Sequence, residues 1–257
     1  MNNPFVSWAG RVYVKTEYLN FGREIIARWA REVVAVRGAE PKTSRVLDIG
    51  FGSGQDLANV RAALSGCRLD LLGIDCQPSH VEQGRQQGVT VYCKDIEREP
   101  FPLAEGSVDL VIANQIIEHT KEIFWVFSEI SRVLKRGGHA IVGVPNMASL
   151  HNRILFLFGI QPTCLELLGP HVRGVTYRDF KKFVETGGFF VVKELKGSNF
   201  YPFPPGVSKL LSRVFPALSA SLFFLIERTQ KQGQFSEVLR SRSFETPFLV
   251  TGGTPGG

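Results

Sequence analysis

Residues 45–55 read Arg-Val-Leu-Asp-Ile-Gly-Phe-Gly-Ser-Gly-Gln. Arg45–Gly50 is short, Leu- and β-branched-rich, and has the composition of a strand buried on both faces. The glycines Gly50, Gly52 and Gly54 follow, and helical character begins near Gln55. Asp48-Ile-Gly50-Phe-Gly52-Ser-Gly54 is therefore a strand-to-helix turn. There the backbone bends sharply, and a ligand can reach its amides at a helix N-terminus.

Working outward, further strand patterns occur at Leu69–Asp75, Thr90–Asp95, Val108–Asn114 and His139–Pro145. Between them lie helix-length segments. In Glu118–Lys135, apolar Ile123, Val126, Phe127, Ile130, Val133 and Leu134 recur at three- and four-residue steps, and Gly137–Gly138 are expected to stop the helix. A helix at Tyr177–Thr186 follows, then closing strands at Phe189–Leu195 and Leu222–Glu227, separated by the proline-rich Asn199–Pro216. Strands alternating with helices imply right-handed crossovers. The expected fold is α/β, a doubly wound, mostly parallel seven-stranded sheet.

The flanks differ from this body. Residues 1–44 are expected to form an N-terminal helical cover, with an amphipathic helix over Tyr18–Val36. The body runs over 45–229, with an inserted lid after strand five at about 147–170. The lid contains Ile154–Ile160 (ILFLFGI), which ordinarily packs in a core. The rival is a hydrophobic acceptor channel or an interfacial helix, helped by Phe200, Tyr201, Phe203 and the basic flanks. The tail, 230–257, is expected to be loosely held.

The chain has 257 residues, 44% apolar and 21% charged, with a net charge of +6. That composition allows a sizeable core in one large domain or two small ones. The excess positive charge sits in residues 1–45 and 193–257 around a near-neutral middle. It could attract anionic partners, but without a Lys/Arg run or interleaved aromatics no nucleic acid is expected. Cys67, Cys76, Cys93 and Cys164 form no Cys-x-x-Cys pair or zinc-spaced cluster, so no metal is expected. Met1–Ser7 lacks a secretory signal pattern, and Gly137–Asn152 is too short and broken to span a bilayer. A cytoplasmic location is the expectation.

The glycine turn admits two nucleotide readings. A dinucleotide site wants Gly or Ala three residues after Gly52, where Gln55 stands. The acid at Asp48 would repel a pyrophosphate but suits an ammonium or sulfonium group, which favours S-adenosylmethionine over NAD. Asp75, with Cys76 beside it, ends the second strand where a carboxylate can accept ribose hydroxyls. Asp95-Ile96 could offer a carboxylate and an amide to adenine, and Asn114-Gln115 end strand four on the ligand-binding edge.

These segments, with KDIEREPFPLAEGSVDLVIANQIIEH and the helix ending in VLKRGGHAIVGVPN, resemble a class I S-adenosylmethionine-dependent methyltransferase. The resemblance is to the broad bacterial group that includes the ubiquinone-biosynthesis O-methyltransferases. It covers roughly residues 45–146 and continues weakly in HVRGVTYRDFKKFVETGGF. It implies a Rossmann-like methyltransferase fold and S-adenosyl-L-methionine as cofactor. The methionine moiety would lie on Asp48, Gly50, Gly52 and Gly54, the ribose on Asp75, and the adenine on Asp95 and Ile96.

The implied activity is methyl transfer to a small molecule, O-methylation favoured. The acceptor would be a quinone or lipid precursor, an envelope sugar or a secondary metabolite. Such an acceptor is lipophilic or acidic, and a lipophilic one suggests peripheral membrane contact. His119 and His171 are the candidate bases, since a hydroxyl acceptor must lose a proton. Arg173 would bind an acidic acceptor or make a surface ion pair, and Tyr13 and Tyr18 belong to a segment that covers the site in this fold. The rivals are a cofactor-binding protein without catalysis and an NAD-dependent oxidoreductase.

Overall fold

The structure, a computed structural model, describes residues 22–35 and 43–241. Its elements are α1 (Arg23–Ala35), β1 (Ser44–Ile49), α2 (Gln55–Ala63), β2 (Leu69–Asp75), α3 (Pro78–Gln86), β3 (Thr90–Cys93) and β4 (Val108–Asn114). There follow α4 (Ile123–Val133), β5 (Leu134–Pro145), α5 (Leu150–Leu157), α6 (Tyr177–Glu185), β6 (Phe190–Ser198), α7 (Pro205–Val214) and β7 (Ser221–Arg228). The strands form one seven-stranded sheet in the order β3-β2-β1-β4-β5-β7-β6. β1 pairs parallel with β2 and β4, whereas β7 runs antiparallel to both β5 and β6. The order reverses between β1 and β4, the crevice where such sheets bind ligands.

Side chains alternate across the sheet. Leu47 and Ile49 of β1, Leu72 and Ile74 of β2, and Val111 and Ala113 of β4 enter one core with Phe127 of α4 and Phe180 of α6. Val46, Leu71, Leu110 and Ile112 enter the other, with Ile26 and Trp29 of α1 and Leu57 and Val60 of α2. The period of two therefore puts Asp48, Asp75 and Asn114 on the α1/α2 face. Asp48 pairs with Gly73 and Ile112, so Asp75 and Asn114 each lie two residues further along their strands.

Several expectations are corrected. The single helix over Glu118–Lys135 is a 3-10 turn, Ile117–His119, followed by α4. Gly137–Gly138 lie inside β5 rather than ending a helix. A Cβ on Gly138 would come 2.7 Å from the Lys135 carbonyl oxygen, so only glycine lets the strand pass there. The proline-rich segment carries α7, because Pro204 and Pro205 sit at its first turn, where no amide hydrogen is needed. Part of the tail is packed: the 3-10 segment Phe235–Ser241 buries Phe235 completely against Phe127 and Phe183.

The lid corrects the core-packing reading. Its helix α5 buries a polar residue, Asn152, which donates to the Asn146 carbonyl at 3.0 Å and accepts from Thr163 N–H at 3.1 Å. The apolar side chains face outward, with Leu157 83% and Phe158 76% exposed. Of the N-terminal cover, α1 buries Ile25, Ile26, Trp29, Ala30 and Val34. Tyr13, Tyr18, Leu19 and Val36 lie outside the described residues. Among the described residues no helix is long and apolar enough to cross a membrane.

Candidate functional site

The glycine turn is held from below. Gly50 and Phe51 donate to the Ile74 carbonyl at 2.9 and 3.1 Å, which ties the loop to β2. Gly54 has φ 75°, and a Cβ there would meet the buried Phe51 ring at 2.4 Å. Gly52 differs: a Cβ would find nothing nearer than 3.9 Å, so space stands open before its backbone.

Polar groups gather around this turn. Asp48 is 2% exposed. Burial, then repulsion from Asp56, holds its carboxyl well above the usual carboxylate range; Arg23 opposes the shift and Asp75 adds to it. Asp75 accepts from Gly52 N–H at 2.8 Å through Oδ2 and from Gln77 N–H at 2.9 Å through Oδ1. Its Oδ2 also lies 3.0 Å from His80 Nδ1. A carboxylate offers about four acceptor sites, so Asp75 retains capacity for a diol while serving the loop.

At the β4 end, Asn114 Nδ2 donates to Asp56 Oδ2 at 3.0 Å, and Arg23 Nε stands 3.2 Å from the other Asp56 oxygen. Burial raises the Asp56 carboxyl, which Asn114 and Arg23 partly offset. Gln115 has φ 55°, a left-handed conformation that costs a non-glycine residue about 1–2 kcal/mol and collects at functional sites. Asn114 Oδ1 and Gln115 Nε2 are buried without a hydrogen-bond partner among the described residues.

The predicted adenine pair lies after β3. Asp95 is half-buried, and its Oδ1 accepts from Glu97 N–H at 2.9 Å. Ile96 packs against the core edge. Cys76 is exposed, with its thiol pKa raised by burial and then by Asp75.

The acceptor-side candidates meet across 52 residues of sequence. His119 and His171 stand edge to face with ring centroids 4.7 Å apart. Burial lowers the His119 pKa, as does His171, against the opposing pull of the Pro170 carbonyl. Arg173 is held by backbone rather than by a surface ion pair: its Nε and a terminal nitrogen donate to the carbonyls of Thr120, at 3.2 Å, and Lys121, at 2.6 Å. It is a clamp between two loops.

Sequence reasoning missed several participants. Glu118 is wholly buried, and burial pushes its carboxyl up to about 7. His151 on the lid, with a pKa lowered by burial to about 4, lies between Ser149 Oγ at 3.1 Å and Thr163 Oγ1 at 3.3 Å. Asp56 and His80 had no motif to mark them, and their roles come from helices packed beneath the turn. A cavity of about 1140 Å³ lies elsewhere, among α1, β6 and α7.

The residues fit a sulfonium nucleoside. Open space lies before Gly52, the Asp48 carboxyl is buried on the same sheet face, and two polar atoms at the β4 end are without a hydrogen-bond partner among the described residues. A cation there would restore the charged form of Asp48.

Residues 47–142 match a methyltransferase domain family. A probable S-adenosylmethionine-dependent methyltransferase of Mycolicibacterium smegmatis is 32% identical over 167 residues, covering 63% of this chain and 60% of that protein. A ubiquinone biosynthesis O-methyltransferase of Cupriavidus pinatubonensis is 25% identical over 166 residues, covering 62% of this chain and 64% of that one. The chain thus spans under two thirds of the length of these curated relatives. A solved S-adenosylmethionine-dependent methyltransferase from Archaeoglobus fulgidus shares the fold, with TM-score 0.52 at 17% identity, covering 88% of this chain and all of that one.

Proposed function

We propose that this chain, whose residues 47–142 form a methyltransferase domain of the class I S-adenosylmethionine-dependent type, methylates a small molecule in the cytoplasm, most readily at oxygen. The observation that carries the reading is the placement of Asp48, Asp75 and Asn114 on one sheet face around an open glycine turn. The similarity to a ubiquinone biosynthesis O-methyltransferase supports oxygen as the acceptor atom.

Asp48, Asp75, Asp95, Ile96, Asn114 and Gln115 would hold S-adenosyl-L-methionine, which supplies a methyl group already activated by its sulfonium charge. The protein's task is then alignment and exclusion of water. Fixed orientation can be worth an effective molarity of about 10⁵–10⁸ M. Asp75 would orient the ribose while pinning the loop through Gly52 N–H. His119, kept neutral by burial, holds a lone pair suited to taking a proton from a hydroxyl near the β4 edge.

The exposed apolar residues of the lid support a lipophilic acceptor met at a membrane surface. Phe156, Leu157, Phe158, Leu167 and Leu168 are all more than half exposed, and Arg153 sits beside them to meet anionic headgroups.

Calorimetry with S-adenosylmethionine and with NAD, followed by transfer of labelled methyl into candidate hydroxyl acceptors, tests the reading. Binding of the first nucleotide alone, with labelled product, is expected. Binding without product from any acceptor would favour a cofactor-holding protein without catalysis, and NAD binding would favour the oxidoreductase.

A further inference from the structure

The segment after the lid folds back over the turn Ile117–His119. Amides of Val172 and Arg173 donate to the Glu118 carbonyl at 2.9 and 3.2 Å, and the Arg173 side chain clamps the carbonyls of Thr120 and Lys121. This staple presents His171 to His119. One ligand-capable atom from each of Glu118, His119 and His171 lies within 4.8 Å of the others.

Three features make the group more than a coincidence of polar residues. Glu118 is 0% exposed, and neither carboxylate oxygen has a hydrogen-bond partner among the described residues beyond the pull of its own backbone amide. A buried carboxylate left so is costly unless it takes a proton or a cation joins it. Each imidazole also has a second partner of the kind that orients a metal ligand: His119 Nδ1 lies 3.3 Å from the Pro170 carbonyl and His171 Nδ1 2.9 Å from that of Cys164. In the Nδ1–H tautomer both rings donate to backbone and leave Nε2 with its lone pair. The spacing fits as well. Ligands on a tetrahedral ion at about 2.0–2.2 Å stand about 3.4 Å apart, and the three atoms here already lie within 4.8 Å of one another.

We propose that Glu118, His119 and His171 form a binding site for a divalent transition-metal ion of the Zn²⁺ class. Two imidazoles and one carboxylate suit such an ion better than Mg²⁺ or Ca²⁺, which take oxygen ligands. Three protein ligands leave a position open, the arrangement of catalytic rather than structural sites. The use of the ion rests on the O-methylation proposed above; its binding does not. A hydroxyl meeting the ion becomes more acidic. With His119 serving as ligand in place of base, the proton leaves to solvent and the oxygen bonds to the methyl carbon. The carbon–sulfur bond breaks with its electron pair kept by sulfur, so the sulfonium becomes a neutral thioether.

The test is titration of the chelator-treated full chain with Co²⁺, without S-adenosylmethionine or acceptor. One ion per chain is expected, with ligand-field bands of a nitrogen and oxygen set and no thiolate charge transfer. Glu118→Gln and the milder His171→Asn should each weaken binding by about 100-fold, with cooperative melting showing that both fold. Absence of the bands in the parent, their persistence in both folded variants, or a thiolate signature from the cysteines would overturn the site. S-adenosylmethionine calorimetry on the same metal-free protein separates the two ideas. Cobalt binding without the nucleotide sinks only the proposed function, and the reverse sinks only the metal.

Discussion

Gly52 N–H donates to the Asp75 carboxylate at 2.8 Å, so the acid that ends β2 also holds the middle of the glycine turn. One side chain thereby ties the loop to the end of β2. Asp75→Ala should weaken S-adenosylmethionine by about 1.5–3 kcal/mol, the worth of charge-assisted hydrogen bonds. Calorimetry on parent and variant reads it directly; unchanged affinity would remove Asp75 from the site.

Asp48 predicts a pH effect. Its carboxyl is raised by burial and by Asp56, so the free fold is most favoured while the group is protonated in both folded and unfolded chains. As pH climbs above the unfolded value of about 3.9, the unfolded chain ionises first, and stability declines until the folded carboxyl also ionises. Asp48→Asn should flatten that decline and raise the melting temperature at neutral pH, while losing affinity for the sulfonium cofactor. Melts with the same pH dependence in parent and variant would be incompatible with this account.

The lid residues Leu157 and Phe158 are 83% and 76% exposed. Changing both to Ser should alter folding stability by no more than about 0.5 kcal/mol per site, as for surface substitutions generally. Sedimentation with anionic vesicles should nevertheless fall. Parent protein that ignores the vesicles, or a double variant that binds as well, ends the membrane reading.

Phe235 predicts the opposite of a loose tail. Its ring is wholly buried and lies 5.4 Å from that of Phe183 and 5.7 Å from that of Phe127. Phe235→Ala should cost about 3–5 kcal/mol by urea unfolding. A cost below about 1 kcal/mol would show that the segment does not pack as described.

Much of the fold was legible because strands buried on both faces have a plain signature. Arg45–Gly50, Leu69–Asp75 and Val108–Asn114 each appear within a residue of β1, β2 and β4. What misled was glycine and proline chemistry. Gly137–Gly138 read as a helix stop, yet β5 runs through them because Gly137 takes φ 73° and a Cβ on Gly138 would meet the Lys135 carbonyl at 2.7 Å. Pro204 and Pro205 read as loop and instead begin α7. The apolar lid looked like core because periodicity does not say whether anything lies opposite an apolar face.

The local sequence determined the turn itself: alternate glycines after Asp48 admit the left-handed backbone that Gly50, Gly52 and Gly54 adopt. The acids at strand ends followed from the same reasoning, since parallel strands of known length place their last residues on one edge. Only tertiary structure decided what those groups meet. The pairing of Asn114 with Asp56, the hydrogen bond from Gly52 N–H to Asp75, and the meeting of His171 with Glu118 and His119 depend on packing between segments distant in the chain. Burial then decides their charge, because the cost of an ion is set by how much water surrounds it, and no stretch of sequence records that by itself.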